Sequence, residues 1–197
     1  MTEVRPGTEA DARVAAALHA SEISEGFLPS LGRPFLARLY RRIVRSPGSF
    51  LLVAHDGDAI VGFVAGSERV RDLYRSFLLH DGAVATLTAL PRVARSWHRV
   101  LETLRYPAGA DDDRARPLPS AELLAIAVTP AARGHGAGRQ LVAALTSEFQ
   151  RRGVAAVRVV VGEDNEAAIS LYEHCGFSRA ARTEVHRGTP SQVLTWP

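Results

Sequence analysis

The stretch Leu123–Leu141, LLAIAVTPAARGHGAGRQL, limits what this chain can fold into more than any other. An aliphatic run stops at Thr129-Pro130, and a short turn follows with Arg133 and glycines at 134, 136 and 138. Leu141, Val142, Leu145 and Phe149 then recur at helical spacing. A strand, a glycine turn and a helix start together make an anion site. Glycine lets the backbone come close to a ligand, and first-turn N–H groups point outward from the positive end of the helix dipole. Arg133 and Arg139 add full charges, so the expected ligand carries phosphate. Two phosphate loops are excluded. The nucleotide-triphosphate loop needs a lysine, and this chain has none. The dinucleotide fingerprint fails because Arg139 stands three residues after Gly136.

The pattern that does match is R-x-x-G-x-G, read from Arg133, Gly136 and Gly138. Further on, Asn165–Phe177 reads NEAAISLYEHCGF, of the form N-x-x-A-x-x-x-Y-x-x-x-G-F. In this order and at this separation the two segments resemble the GNAT superfamily of acetyl-CoA-dependent N-acetyltransferases. The resemblance spans Glu122 to Phe177. It implies an α/β fold with a mixed, mostly antiparallel central sheet flanked by helices. It also implies acetyl-CoA as co-substrate and no metal. By the same resemblance, the strand backbone at Ile126, Ala127 and Val128 holds the pantetheine arm. The loop Arg133, Gly134, His135, Gly136, Ala137, Gly138 and Arg139 holds the pyrophosphate. Asn165, Ala168 and Tyr172 border the cofactor arm, and Tyr172 is the general acid. AELLAIAV resembles the strand of the histone-acetyltransferase branch in which a Glu six residues before the final Val deprotonates the amine. That residue here is Glu122.

The residues themselves leave more than one reading. Tyr172 serves equally as a core residue packing its helix onto the sheet. By period-2 alternation Glu122 shares a face with Leu124 and Ile126, which would desolvate it and raise its pKa. It also reads as an exposed carboxylate at a strand start, and many members of the family resembled have no single base and pass the proton through water. Asn165 is a natural helix N-cap. His135 reads as a surface residue, Cys175 as a small core residue, and no His/Cys/Asp cluster has metal-ligand spacing.

The rest of the chain is read on weaker signals. Residues 3–6 suit a first strand, Thr8 an N-cap with Glu9 and Asp11 in the first helical turn. Phe35, Leu36, Leu39, Ile43 and Val44 mark a second helix after Gly32-Arg33-Pro34. The link SEGFLPSL, with Phe27 and Leu28, falls where the family builds one wall of the acceptor pocket. An Asp-Gly pair predicts a hairpin with strands near 50–55 and 59–66, and Gly62 marks a bulge or a close backbone approach. A helical insertion of about 68–119 separates strands 3 and 4. It carries the stripes Leu73, Phe77, Leu78 and Val93, Trp97, Val100, Leu101, Leu104, and arginines at 69, 71, 75, 92, 95, 99 and 105. Arg92, Arg95 and Arg99 share a helical face, either solvated or forming a lid that selects an anionic acceptor. Strands near 121–128, 154–161, 177–186 and 190–196, with helices before Gly153 and Gly176, complete the pattern.

At 197 residues the chain is expected to be one domain over 1–197. No apolar run approaches a membrane span, and the first residues lack a basic-then-apolar signal. A lone cysteine fits a reducing cytoplasm, and the Arg- and Ala-rich composition a GC-rich bacterial genome. The formal charge of +3 suits an anionic small ligand, and without basic runs nucleic acid is disfavoured. The expected reaction is direct acetyl transfer to a primary amine of a small molecule, such as an amino sugar. A protein or peptide acceptor and a non-catalytic acyl-CoA-binding module are the alternatives, and a homodimer is left open.

Overall fold

A computed structural model describes residues 2–23, 28–81, 118–186 and 189–197. Chain order gives β1 (Glu3–Pro6), α1 (Ala12–Glu22), α2 (Arg33–Arg45), β2 (Ser49–Asp56) and β3 (Ala59–Ser67). Then come α3 (70–81), β4 (Ala121–Val128), α4 (Ala137–Arg151), β5 (Val157–Gly162), α5 (Glu166–His174), β6 (Ser178–His186) and β7 (Thr189–Trp196). The strands form one sheet in the order β1-β2-β3-β4-β5-β7-β6. Every neighbouring pair is antiparallel except β4 with β5. This is the mixed, mostly antiparallel sheet expected, with a helical segment entering between β3 and β4.

Alternation along the strands sends side chains to two cores. On one face Leu51, Val53, Phe63 and Ala65 pack against Ala12, Ala15 and Ala16 of α1 and Leu36, Leu39, Tyr40 and Ile43 of α2. Leu73 and Phe77 bring α3 onto this face, Phe77 meeting Phe35 edge-on at 5.3 Å. On the other face Leu52, Val64 and Leu123 meet Leu141, Val142, Leu145 and Phe149 of α4 and Ile169 and Tyr172 of α5. Each large apolar side chain so buried contributes about 1.5–3 kcal/mol. Among the described residues no helix is long and apolar enough to cross a membrane.

Several boundaries differ from the sequence reading for identifiable reasons. Helix α1 starts after Asp11, because the Asp11 carboxylate accepts from the Thr8 N–H (2.7 Å) and hydroxyl (2.8 Å) and pairs with Arg5, closing a turn first. Strand β5 starts at Val157, because the Val154 N–H turns back to the Phe149 carbonyl in the C-cap of α4, with Gly153 at φ 76°. Its burial alternates, Val157, Val159 and Val161 inside and Arg158 and Val160 half-buried, so it is not buried on both faces. Leu78 is exposed rather than part of the α3 stripe. Phe27, the stripe Val93–Leu104 and the arginines at 92, 95, 99 and 105 lie outside the described residues.

Both expectations at Gly62 are met: Val61 is an extra residue between the Ile60–His55 and Gly62–Ala54 pairs, and another backbone comes close. A Cβ on Gly62 would stand 2.9 Å from the Ala127 carbonyl oxygen and 3.1 Å from Leu141 Cδ1. Gly62→Ala should therefore push β3 from β4 and lower stability by about 1–3 kcal/mol, read from urea denaturation.

The first core also holds a titratable pair. His19 is buried, its Nδ1 2.6 Å from the Tyr40 hydroxyl, and burial depresses its pKa from 6.5 to about 4. Below the ordinary value the unfolded chain takes up a proton that the native His19 refuses. Stability present above pH 6.5 is thus lost as pH falls toward about 4, by roughly 2–3 kcal/mol. His19→Gln should flatten that slope in denaturation curves across the window.

Candidate active site

The site is built where β4 and β5 part. Their parallel pairing covers Ala121, Glu122 and Leu123 against Val157, Arg158 and Val159 and then stops. From Leu124 to Val128 the edge of β4 facing β5 carries no strand partner among the described residues, while its other edge stays paired to β3. A bulge marks the parting: Ala65 faces Ala125 and Gly66 faces Leu123, so Leu124 is an extra residue in β4. A bulged strand bends and twists more strongly, which carries Ala125–Val128 away from β5. The opening leaves the backbone groups that point away from β3, the Ile126 N–H and C=O and the Val128 N–H, able to accept an extended ligand as a further strand, while Ala127 faces β3 and the Val128 carbonyl accepts from Arg133 Nε.

The bulge also corrects the expected facing of β4. Glu122 shares a face with Leu124, but the extra residue reverses the alternation beyond it. Ile126 and Val128 therefore pack toward α4, whereas Leu124, Ala125 and Ala127 pack toward α1 and α2. Glu122 lies on the α1 side, its side chain 13% exposed, and Arg158 Nε donates to its Oε2 at 2.8 Å. Burial raises the Glu122 pKa above the usual carboxylate value, and the Arg158 charge opposes that rise.

After β4 the chain makes a single 3-10 turn over Pro130–Ala132 and enters the glycine loop. Gly134 (φ 76°) and Gly136 (φ 85°) are left-handed, and Gly136 is the N-cap of α4 without a side-chain cap. None of the N–H groups from Gly134 to Arg139 donates to an acceptor among the described residues; the first N–H paired in the helix is that of Gln140, to Gly136 O at 3.0 Å. A Cβ built on Gly134 or Gly136 meets nothing within 4 Å, so the space over the loop is open. These converging donors at a helix N-terminus suit a diphosphate. His135 is exposed, its Nδ1 2.8 Å from the Arg133 carbonyl. Ala137 is buried beneath the first turn.

The two arginines of the loop behave differently. Arg133 donates from Nε to the Val128 carbonyl (3.1 Å) and pairs through Nη2 with Glu22 at the end of α1. Its charge is therefore balanced there, and it ties α1 to the end of β4. Arg139 is exposed and has no ion pair among the described residues, which leaves it as the cation of the α4 N-terminus.

Helix α5 closes the other side. Asn165 caps it, Oδ1 accepting from the half-buried Ala168 N–H at 3.1 Å, and the Asn165 side-chain N–H groups have no acceptor among the described residues. Tyr172 lies one turn after Ile169 on the inward face, 4% exposed, its ring 5.6 Å from that of Phe177. Burial, and after it the neighbouring Cys175 thiol, push the Tyr172 phenol above its ordinary pKa, so it holds its proton. The adjacent Leu171 touches the first turn of α4, its Cδ2 3.3 Å from where a Cβ on Gly138 would lie. The turn of α5 that carries Tyr172 therefore borders the first turn of α4. Cys175 is half-buried against the same core, its pKa raised by burial and drawn down by Arg139. Among the described residues no group of three or more His, Cys, Asp or Glu could hold a metal ion.

Three features escaped the sequence reading: the Leu124 bulge, the Glu22–Arg133 bridge and the Glu122–Arg158 pair. Only the last had a visible signal. Arg158 stands alone between valines in VRVVV, on the face opposite Val157 and Val159.

Comparison with known proteins gives the same direction. The model of the acetyltransferase (GNAT) family matches residues 17–177. A mycothiol acetyltransferase of Streptosporangium roseum is 46% identical over 61 residues, 31% of this chain and 18% of that protein. The ribosomal protein bS18-alanine N-acetyltransferase of Escherichia coli K12 is 44% identical over 63 residues, 32% of this chain and 43% of that one. The chain therefore spans less than half the length of either relative in the matched segment. The crystal structure of the Escherichia coli ribosomal-protein-S18-alanine N-acetyltransferase superposes with a TM-score of 0.62 at 17% identity. It covers 100% of this chain and 94% of that one, and at this identity the likeness is one of fold.

Proposed function

Because the chain belongs to the acetyltransferase (GNAT) family, we propose that it moves an acetyl group from acetyl-CoA to the primary amine of a small molecule by direct attack. The observation that carries this reading is the parting of β4 from β5 beside a loop of six N–H groups unpaired among the described residues. Gly134–Arg139 would hold the diphosphate, with Arg139 supplying charge and Arg133 fixing the loop to α1. Ile126 and Val128 would take the pantetheine amides and orient the thioester carbonyl, with Asn165 and Ala168 along the arm.

Transfer needs a neutral amine, since an ammonium nitrogen has no lone pair. Glu122 takes that proton. Four residues of strand, roughly 13 Å at the usual rise, separate it from Ile126, so the proton travels through water. As the nitrogen bonds to the acetyl carbon and the carbon–sulfur bond breaks, the Tyr172 hydroxyl delivers a proton to the leaving sulfur. Any phenol is protonated at neutral pH and so has the proton to give, although burial makes Tyr172 a weaker acid than a free tyrosine.

A small acceptor is favoured by the coverage of the acceptor face. Helix α3 packs on α2 through Phe35–Phe77 and through Arg42 Nε to Asp81 at 2.6 Å, which builds up the rim on the α1/α2 side. The likeness to a ribosomal-protein alanine acetyltransferase favours a second reading, a protein N-terminus as acceptor. Thiol release from acetyl-CoA across amino sugars, aminoglycosides, amino acids, polyamines and N-terminal peptides separates the two. Turnover confined to peptides would overturn the small-molecule reading. No thiol release with any amine, together with a raised melting temperature in acetyl-CoA, would mark a binding module instead. The single cysteine supports a cytoplasmic location.

A further inference from the structure

A row of polar residues crosses the sheet on the α1 face. Pairing aligns Ser49 with Ser67, Ser67 with Glu122, Glu122 with Arg158, Arg158 with Thr195 and Thr195 with Ser178. Ser49 Oγ donates to Ser67 Oγ at 3.0 Å, and both serines are buried. Glu122 and Arg158 occupy the middle rung of the short parallel ladder, just before the strands part. Their side chains are 13% and 18% exposed, and the contact runs from Nε to Oε2 alone. Oε1 accepts nothing from the described residues. A charged pair this far from water is held by geometry rather than by chance encounter.

We propose that Arg158 is the positioning residue of the Glu122 base, gripping Oε2 so that Oε1 is presented to the water that takes the acceptor's proton. The inference rests on the role given to Glu122 above. The surroundings leave Arg158 in charge of that carboxylate. Strand β3 presents the hydroxyl of Ser67, whereas His19 of α1 is bound to Tyr40 and stacked toward Phe63, which pairs with Ala127 further along β4. Glu68, which follows Ser67, and Glu148 of α4 both pair with Arg152, whose guanidinium lies over Phe50 on the α4 side of the sheet. The Arg158 charge opposes burial in setting the proton affinity of Glu122.

The test titrates the Glu122 side-chain carboxyl by carbon-13 NMR in wild type, Arg158→Met and Arg158→Lys, with Glu122→Gln assigning the resonance. In parallel, kcat/KM against pH is measured with the fastest amine of the panel above. Losing the cation should move the Glu122 midpoint upward by about one unit or more. The acidic limb of the profile should move with it, while the acetyl-CoA KM holds. Arg158→Lys should return both toward wild type. An unmoved midpoint in Arg158→Met overturns the inference and leaves the base intact. A moved midpoint with an unmoved limb, or full activity in Glu122→Gln, removes Glu122 as base and the positioning role with it.

Discussion

Gly136→Val should weaken acetyl-CoA binding by about 100-fold while lowering fold stability by no more than about 2 kcal/mol. Gly136 sits at φ 85° and ψ −2°, where a side chain bearing a branched Cβ is strained by about 1–2 kcal/mol or more. Nothing lies within 4 Å of a Cβ built there, so the damage comes through the backbone and not through a clash. To relieve the strain the chain leaves the left-handed region, and the N–H groups on either side no longer converge on one point. Gly48→Ala is the control. That glycine also has open space around it, but its φ lies outside the left-handed range, so neither binding nor stability should change. Isothermal titration with acetyl-CoA and urea denaturation read the two quantities. Undiminished binding in Gly136→Val would remove the loop from the cofactor site.

Tyr172→Phe should lower kcat by about 100-fold with the acetyl-CoA KM changed by no more than about twofold. The substitution deletes one oxygen. The ring keeps its contacts with Phe177 and its place beside Ile169, so the fold has little reason to respond. An acid that acts only as the sulfur departs is silent in binding and visible in turnover. A tyrosine that merely packs α5 onto the sheet would show the reverse, an unchanged kcat. Turnover by the fastest amine of the panel decides between them.

What could be read in the sequence was what is local. Central strand, glycine turn and following helix were legible because apolar run, glycine spacing and helical stripe each fix a backbone state within a few residues. The hairpin was legible because a left-handed glycine marks a tight turn, but its two-residue loop is Gly57-Asp58 and not Asp56-Gly57, since Asp56 pairs with Ala59 in the ladder. Asn165 as a cap was legible for the same reason. Long-range features were not. The extra residue at Leu124 depends on the register of β3 against β4, and nothing in AELLAIAV differs from a regular strand. Period-2 alternation therefore put Ile126 on the face of Glu122, and the bulge reversed it. Arg133 was read as a charge for the ligand, but its partner Glu22 lies 111 positions away and joins it only through the fold. Burial of His19 against Tyr40 was hidden likewise, since α1 carries a histidine among alanines that could face either way.

The most direct measurement is backbone amide exchange at Gly134–Arg139 with and without saturating acetyl-CoA. These N–H groups have no acceptor among the described residues, so in the free protein they should exchange fast. A coenzyme diphosphate seated on them should slow each by about tenfold or more, with Gly48 and Gly57 unaffected. Equal exchange in the presence and absence of bound acetyl-CoA would contradict the assignment of this bend as the seat of the cofactor.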